Sequence, residues 1–288
     1  MQASIVTLYR SSILEIKNFV CQCRECGMSA HEYQQKFSIC YIRRGSFLFE
    51  VFNDDLESYT GKFLINKPGF THRVRHYPAQ PDECTVISID TSFYNVLQDQ
   101  FSTKLNGFFN DPDVHSILVN ATPESEYLHY RLYANLSSGN AENLLIDTLV
   151  MDLISCLFDD RQVFGTSALS QRHKQIYLPH IEKTKEFIQE NFIEDLSLEQ
   201  VAAKACMSAY HFNRIFKKFT WSSPYQYLLN FRLQHAEHLL KDTDKSITLV
   251  SHLSGFNSPD HFSYAFKSKN RLSPIEYRKN HALLSLKF

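Results

Sequence analysis

The feature that most constrains the fold is an internal repeat in the last third of the chain. The segment that begins at Ser208 recurs 50 residues later, with histidine, phenylalanine, lysine and Ser-Pro positions in the same order. Apolar positions upstream of it recur after 49 residues, so the second copy has one extra residue in its turn. Two copies of one short segment indicate a repeated supersecondary unit. The paired positions are His211 and His261, Phe212 and Phe262, Phe216 and Phe266, Lys217 and Lys267, Ser223 and Ser273, and Pro224 and Pro274.

Each copy is predicted to be a helix-turn-helix, over residues 197–220 and 247–270. Ser197 is a candidate N-cap for the first helix. In the helix that follows, apolar residues at the i, i+3, i+4 and i+7 positions from Phe212 must face a core. The opposite face then carries an amide and a guanidinium group, which can pair with adenine and guanine in the major groove. This arrangement predicts a recognition helix that enters the major groove of DNA.

The same spacing defines the outward residues of both recognition helices. The second copy has an acidic residue and no arginine on this face, so its base recognition is predicted to be weaker. A helix of about 17 residues between the copies would span roughly 25 Å. This length is close to one turn of duplex DNA, about 34 Å, so the two recognition helices could enter successive major grooves. The predicted DNA-contacting residues are Tyr210, Asn213, Arg214 and Lys217 in the first copy and Asp260, His261, Ser263, Tyr264 and Lys267 in the second.

The charge of the chain is divided between its two halves. Residues 1–170 contain 13 Lys and Arg against 20 Asp and Glu, a net charge of −7, whereas residues 171–288 contain 17 against 11, a net charge of +6. The basic half favours a polyanionic partner, and the acidic half would repel phosphate. The length of 288 residues suggests two domains. We therefore predict an effector-sensing and dimerisation domain over 1–170 and a DNA-binding domain over 171–288.

The first half changes from a strand-like pattern to a helical one. Short apolar segments separated by turn residues predict several strands, which would form a small β-barrel or sandwich. Helical spacing follows, and its last segment, 141–159, is apolar on more than one side, so it is buried either in a core or in a subunit interface. Of the two, we favour a homodimer interface. The fold class is therefore α+β, with an all-α second domain. The predicted strands are two within 37–52 and one each at 62–66, 71–77 and 84–89, the helices are 92–101, 124–136 and 141–159, and the linker is 161–175.

A longer pattern of residues extends through both copies and the helix between them. It consists of Leu198, Val201, Ala202, Phe216, Lys217, Lys218, Ser223, Pro224, Tyr227, Arg232, Leu233, Ala236, Leu239, Leu240, Ile247, Gly255, Phe256, His261, Phe262, Ser263, Ala265, Phe266, Lys267, Leu272, Ser273, Pro274, Tyr277 and Arg278. With this pattern, residues 180–280 closely resemble the DNA-binding domain of AraC/XylS-type transcription regulators. The resemblance implies a sequence-specific bacterial regulator in which outward residues of both recognition helices contact bases. The chain departs from the family at Trp221 and Arg271, where glycine usually provides a left-handed helix cap, so the ends of both recognition helices are predicted to differ from the family.

The stretch from Gly61 to His72 is similar to the second conserved stretch of cupin barrels, which AraC-type sensor domains also use. In cupin enzymes the histidine of this stretch is a metal ligand. The earlier strand pair of the present chain lacks the His-x-His of those enzymes. His72 is therefore predicted to be a structural or pocket residue, and His76 on the same strand lies about 13 Å away, too far to share one ion.

A cysteine cluster is the other chemically distinctive feature of the first half. Cys21, Cys23 and Cys26 have the spacing of Zn²⁺ ligands, with His31 or Cys84 as a candidate fourth ligand. A redox switch is an alternative, because Arg24 beside the thiols would favour thiolate. The third interpretation is a loop whose cysteines have no special role. Zn²⁺ is the one cofactor that the sequence suggests.

The sequence as a whole predicts a non-enzymatic, cytoplasmic transcription regulator that binds double-stranded DNA. No secretory signal or segment of about 20 apolar residues is evident, so no membrane partner is expected. A small-molecule effector, RNA polymerase and a second copy of the chain are the other candidate partners. The alternatives are a cupin-type metalloenzyme with a DNA-binding tail, a Zn²⁺- or redox-sensing regulator, and an interaction module in which the repeat binds protein.

Overall fold

The computed structural model describes residues 3–22, 27–52, 54–77, 81–138, 142–158 and 171–285. The chain forms two compact units, Met1–Glu182 and Lys183–Phe288. The first is rich in strands and the second is helical. The units divide within a helix, whereas the sequence predicts the boundary at 170/171.

The N-terminal unit contains two antiparallel sheets. One sheet has the strand order β1-β2-β9-β4-β7-β10 and the other has the order β3-β8-β5-β6. All registered strand pairs in both sheets are antiparallel. The strands are β1 (Ala3–Arg10), β2 (Leu14–Cys21), β3 (Glu32–Tyr33), β4 (Phe37–Arg44), β5 (Ser46–Val51), β6 (Asp54–Tyr59), β7 (Lys62–Asn66), β8 (Thr71–His76), β9 (Glu83–Ile89) and β10 (Ser116–Asn120).

Strand β4 shows why the middle of the larger sheet is apolar on both faces. Cys40 and Ile42 pack between the two sheets, against Phe47 and Phe49 of β5. The alternate residues of β4, such as Ile39, join a second core on the other face of the sheet. Successive side chains of a strand point to opposite faces, so a central strand with both faces covered has a continuous apolar sequence.

Three helices cover that second face: α1 (Thr91–Phe101), α2 (Pro123–Ser138) and α3 (Asn143–Leu157). Helix α3 buries Ile146, Val150 and Leu153 within its own unit. Leu144 is the large apolar residue of α3 that stays exposed, at 79 %. Most of the apolar surface that suggested a dimer interface is thus used inside the unit, and homodimerisation through α3 stays a prediction.

The predicted linker over 161–175 is wrong for its last five residues. Helix α4 (Gln171–Glu190) begins at the first of them, while residues 161–170 lie outside the described residues. Lys174 is buried and pairs with the Glu57 carboxylate of β6. Glu182 accepts hydrogen bonds from the Gly45 amide and the Thr60 hydroxyl. Within residues 171–182, polar side chains therefore hold the helix against the strands.

The C-terminal unit confirms the two helix-turn-helix copies. The first copy is α5 (Leu198–Lys204) and α6 (Ala209–Thr220), and the second is α8 (Ile247–Leu253) and α9 (Pro259–Asn270). Helix α7 (Pro224–Asp242) joins them, and α10 (Pro274–Ser285) follows. The turn of the second copy is one residue longer, as the change of spacing predicts. Serine caps start these helices, and Ser197 forms the predicted N-cap within a capping box with Gln200.

The repeat is also visible in the aromatic core. The ring centroids of Phe212 and Phe216 lie 5.3 Å apart, and those of Phe262 and Phe266 lie 5.5 Å apart. Each helix then meets a tyrosine edge to face, at 5.5 Å for Phe216–Tyr227 and 5.2 Å for Phe266–Tyr277. The same residues therefore hold both recognition helices against the following helix.

The expected difference at the ends of the recognition helices is wrong. Trp221 and Arg271 both adopt the left-handed conformation, with φ of 60° and 62°. Their amides donate to the carbonyls of Lys217 and Lys267, as a glycine cap would. Packing of the two helices imposes this geometry at the cost of left-handed strain.

Replacing Arg271 by glycine is expected to raise the free energy of unfolding of the C-terminal unit by up to about 1 kcal/mol. The left-handed conformation costs a residue with a side chain about 1–2 kcal/mol, and the greater freedom of unfolded glycine offsets part of that gain. Urea unfolding followed by Trp221 fluorescence measures it. Lys218→Gly, within α6, is the control and should lower stability by about 1 kcal/mol. If Arg271→Gly lowered the free energy of unfolding as much as Lys218→Gly, Arg271 would not be strained in the folded state.

Candidate nucleic-acid interface

Helix α6 has one buried face and one outward polar face. Phe212, Ile215, Phe216 and Phe219 are buried. The predicted contact residues point away from them and are exposed, with Tyr210 at 82 %. Within the part of the chain that the structure describes, the contact side chains of α6 make no internal hydrogen bond or ion pair. Their donors and acceptors are thus available to a partner. The four residues are Tyr210, Asn213, Arg214 and Lys217.

Helix α9 offers a different surface. Tyr264 is 78 % exposed, and Asp260 and Lys267 are also exposed, while Ser263 is half-buried. The His261 ring packs edge-on against Phe256 with the centroids 5.6 Å apart, so part of it is used for folding. Asp260 lies in the first turn, where a carboxylate favours the helix but repels phosphate. The predicted contact residues of this surface include no amide or guanidinium group, unlike those of α6.

Arg232 on α7 fixes the segment that leads into the first helix-turn-helix. Its Nε donates to the Phe192 carbonyl at 2.7 Å, and its terminal nitrogen donates to the Glu194 carbonyl at 2.6 Å. Burial lowers the pKa of Arg232 from its usual value. Gly255 packs against the same carbonyl so closely that a Cβ at this position would lie 2.7 Å from the Phe192 carbonyl oxygen. One half-buried arginine therefore contacts both the segment before the first copy and the turn of the second.

A polar network fixes α9 to α7. The Glu237 carboxylate is buried, lies 3.0 Å from the Lys269 ammonium and accepts a hydrogen bond from the Asn270 amide at 2.9 Å. The sequence pattern does not reveal these positioning residues, because a glutamate on a long helix resembles a solvated surface residue. The network removes Lys269 from the set of cations that α9 can offer to a partner.

The N-terminal unit contains a cavity of about 280 Å³ between its two sheets. His72 lines it, stacks on Phe49 with the centroids 4.6 Å apart, and has a buried Nδ1 without a hydrogen-bond partner. Burial lowers the pKa of His72, so the ring is neutral at pH 7. The cavity also exposes His76 and Cys40, so it combines apolar walls with a few polar groups, as small-molecule sites do.

The structure describes one member of the predicted cysteine cluster. Cys21 is buried at the end of β2, whereas Cys23 and Cys26 lie outside the described residues. Of the two candidate fourth ligands, His31 is exposed, and Cys84 is buried with its Sγ 3.9 Å from an Asp82 carboxylate oxygen. A hydrogen bond with Cys40, together with burial, raises the pKa of Cys84 well above its usual value. Cys84 is therefore a neutral thiol at pH 7.

Comparison with known proteins assigns the C-terminal unit. Residues 201–280 match a family model described as a helix-turn-helix domain. The chain is 22 % identical to the uncharacterised HTH-type transcriptional regulator YdeC of Bacillus subtilis, over 86 % of this chain and 85 % of that protein. It is 25 % identical to the transcriptional activator RhaS of Mannheimia succiniciproducens, over 80 % of this chain and 90 % of that protein. The unit is an AraC-type helix-turn-helix domain.

A solved AraC-type transcriptional regulator from Chromobacterium violaceum is 31 % identical over 36 % of this chain and 93 % of that one, with a TM-score of 0.34. The relatives are named transcription regulators, which points to a non-enzymatic role for this chain. Among the described residues no helix is long and apolar enough to cross a lipid bilayer. Both recognition helices of the AraC-type domain thus carry exposed predicted contact residues, and α6 carries the amide and guanidinium pair.

Proposed function

We propose that this chain is a transcription regulator that recognises specific double-stranded DNA sequences with α6 and α9. The observation that carries the proposal is the outward face of α6. Asn213 and Arg214 are exposed there, opposite a fully apolar buried face, and form no hydrogen bond or ion pair with any residue that the structure describes. Amide and guanidinium groups can read adenine and guanine edges, and Lys217 beside them suits a phosphate.

Helix α6 is proposed to supply most of the base recognition and α9 mainly the register on the duplex. Helix α7 has 19 residues, which corresponds to about 28 Å at 1.5 Å per residue. That length is close to the separation of successive major grooves on one face of DNA, about 34 Å. The regulator should therefore favour a site with a strong submotif and a weaker one, about one helical turn apart.

The N-terminal unit is proposed to be a cupin-like sensor that binds a small molecule in the cavity between its sheets. An effector that prefers one arrangement of this unit would change DNA affinity by its differential affinity for the two states. The cavity volume of about 280 Å³ suits a small organic molecule. Homodimerisation and a contact with RNA polymerase belong to the same proposal, and sedimentation at micromolar concentration tests the dimer.

Selection of random duplexes by the purified full chain, at about 0.15 M salt, tests the DNA-binding proposal. The expected result is enrichment of two submotifs about 10 base pairs apart, centre to centre. The affinity for the selected duplex is then measured with and without each member of a library of small metabolites. This comparison tests whether an effector changes DNA binding. Enrichment of no sequence under any of these conditions would refute the proposed recognition.

Salt dependence distinguishes DNA binding from a repeat that binds protein. Each phosphate contact lowers the logarithm of affinity by about 0.9 per tenfold increase in salt, so Lys217 and Lys267 alone should contribute a slope of about −1.8. Lys217→Ala and Lys267→Ala should each reduce the slope by about 1 without changing the preferred sequence. Fluorescence anisotropy of the duplex over a salt series measures the slope for the parent chain and for each variant. A slope near zero would favour a protein partner.

A further inference from the structure

Three side chains of the types that bind metals meet at one edge of the N-terminal sandwich. One ligand atom from each of Cys21, His76 and Asp82 lies within 4.8 Å of the other two. All three residues are buried, with 2–4 % of their surface exposed. They come from the end of β2, the end of β8 and the segment before β9, so the group is assembled only by the fold.

His76 and Asp82 are already in direct contact. The His76 Nδ1 lies 2.6 Å from an Asp82 carboxylate oxygen, and both side chains are buried. An ion bound by Asp82 would bind this same Nδ1 and replace the hydrogen bond, because the two ring nitrogens of histidine point in nearly opposite directions. The imidazole and the carboxylate are therefore placed as neighbouring ligands of one ion.

The surrounding backbone holds this group in place. The Cys21 amide donates to the Asp82 carbonyl at 2.9 Å, which ties the end of β2 to the Asp82 segment. Gly45 lies so close that a Cβ there would be 2.8 Å from the Asp82 Cα. The ligand atoms therefore sit on a fixed frame, and a shift of about 1 Å brings them to the spacing of ligands around one ion.

We propose that the N-terminal unit binds one Zn²⁺ ion through Cys21, His76 and Asp82. A thiolate, an imidazole and a carboxylate form a donor set that suits Zn²⁺ and disfavours Ca²⁺ and Mg²⁺, which require oxygen ligands. Three protein ligands leave one tetrahedral position for water. His76 and Asp82 also line the cavity, so the ion lies at its wall. The site differs from the Cys21, Cys23 and Cys26 set that the sequence suggests and shares only Cys21 with it.

Co²⁺ titration of the chelator-treated full chain tests the proposal, with Zn²⁺ added afterwards to displace the probe. We expect one Co²⁺ per chain, a thiolate-to-metal charge-transfer band, and its loss on addition of Zn²⁺. Cys21→Ser should abolish the band, and His76→Gln and Asp82→Asn should each weaken binding at least tenfold. Cys40→Ser is the matched control, because Cys40 is a buried thiol of the same unit outside the group, and it should keep the band.

Two measurements guard against misfolded variants. Circular dichroism compares each variant with the parent chain, and Zn²⁺ should raise the melting temperature of the parent chain but not of Cys21→Ser. Absence of stoichiometric binding would overturn the proposal. So would a band that survives in His76→Gln but disappears in Cys23→Ser, which would move the site to the cysteine cluster. DNA affinity is measured separately, so failure of the metal site leaves the proposed DNA recognition unaffected.

Discussion

Replacing Asn213 and Arg214 together by alanine is expected to raise the Kd for the selected DNA site at least thirtyfold, with little change in binding to random DNA. Each bidentate base contact is worth about 1–3 kcal/mol of discrimination, so two contacts give about 2–6 kcal/mol. Both side chains are exposed, and within the described part of the chain they form no hydrogen bond or ion pair, so their loss should leave the fold of α6 intact. Competition binding between selected and random duplexes measures the effect.

Lys279→Ala with Asn280→Ala is the matched control for that prediction. It removes an exposed cation and an exposed amide from neighbouring positions of α10, outside both recognition helices. The control should preserve the preferred sequence and change affinity no more than a phosphate contact would. A control that lost as much discrimination as the α6 variant would contradict the assignment of base recognition to α6.

Replacing Gly255 by alanine is expected to lower the free energy of unfolding of the C-terminal unit by about 2–5 kcal/mol. Its φ of 78° is left-handed, which costs alanine about 1–2 kcal/mol. The added Cβ would also lie 2.7 Å from the Phe192 carbonyl oxygen and 2.9 Å from the Arg232 Nε. Relief of that overlap requires backbone shifts, which typically cost about 1–3 kcal/mol. Trp221, the only tryptophan, reports unfolding of this unit by fluorescence.

Cys206 provides the control, because it occupies the position of Gly255 in the first copy. It has a φ of 54° but is exposed, so a side chain fits there. Cys206→Ala keeps a Cβ at a left-handed position and should change stability by less than about 1 kcal/mol. A Gly255→Ala variant as stable as Cys206→Ala would show that the turn of the second copy is not sterically closed. Because Arg232 is part of the contact, Gly255→Ala should also weaken DNA binding.

The recognition helices could be predicted from sequence because their determinants are local. The i, i+3, i+4 and i+7 spacing from Phe212 identifies the buried face, and the outward residues follow from it. Ser197 marks a helix start for the same reason, since an N-cap depends only on the next few residues. The helix ends at Trp221 and Arg271 were mispredicted because glycine preference is a local tendency that the packing of neighbouring helices can override.

Sequence alone therefore determined that this chain has two helix-turn-helix copies and which face of α6 is outward. Tertiary structure decided what depends on contacts between distant residues. It showed that Lys174 and Glu182 hold the first part of α4, and that Cys21 lies beside His76 and Asp82. The physical reason is range: helix periodicity and caps act over a few residues, whereas sheet pairing assembles side chains that are up to 61 residues apart in the sequence.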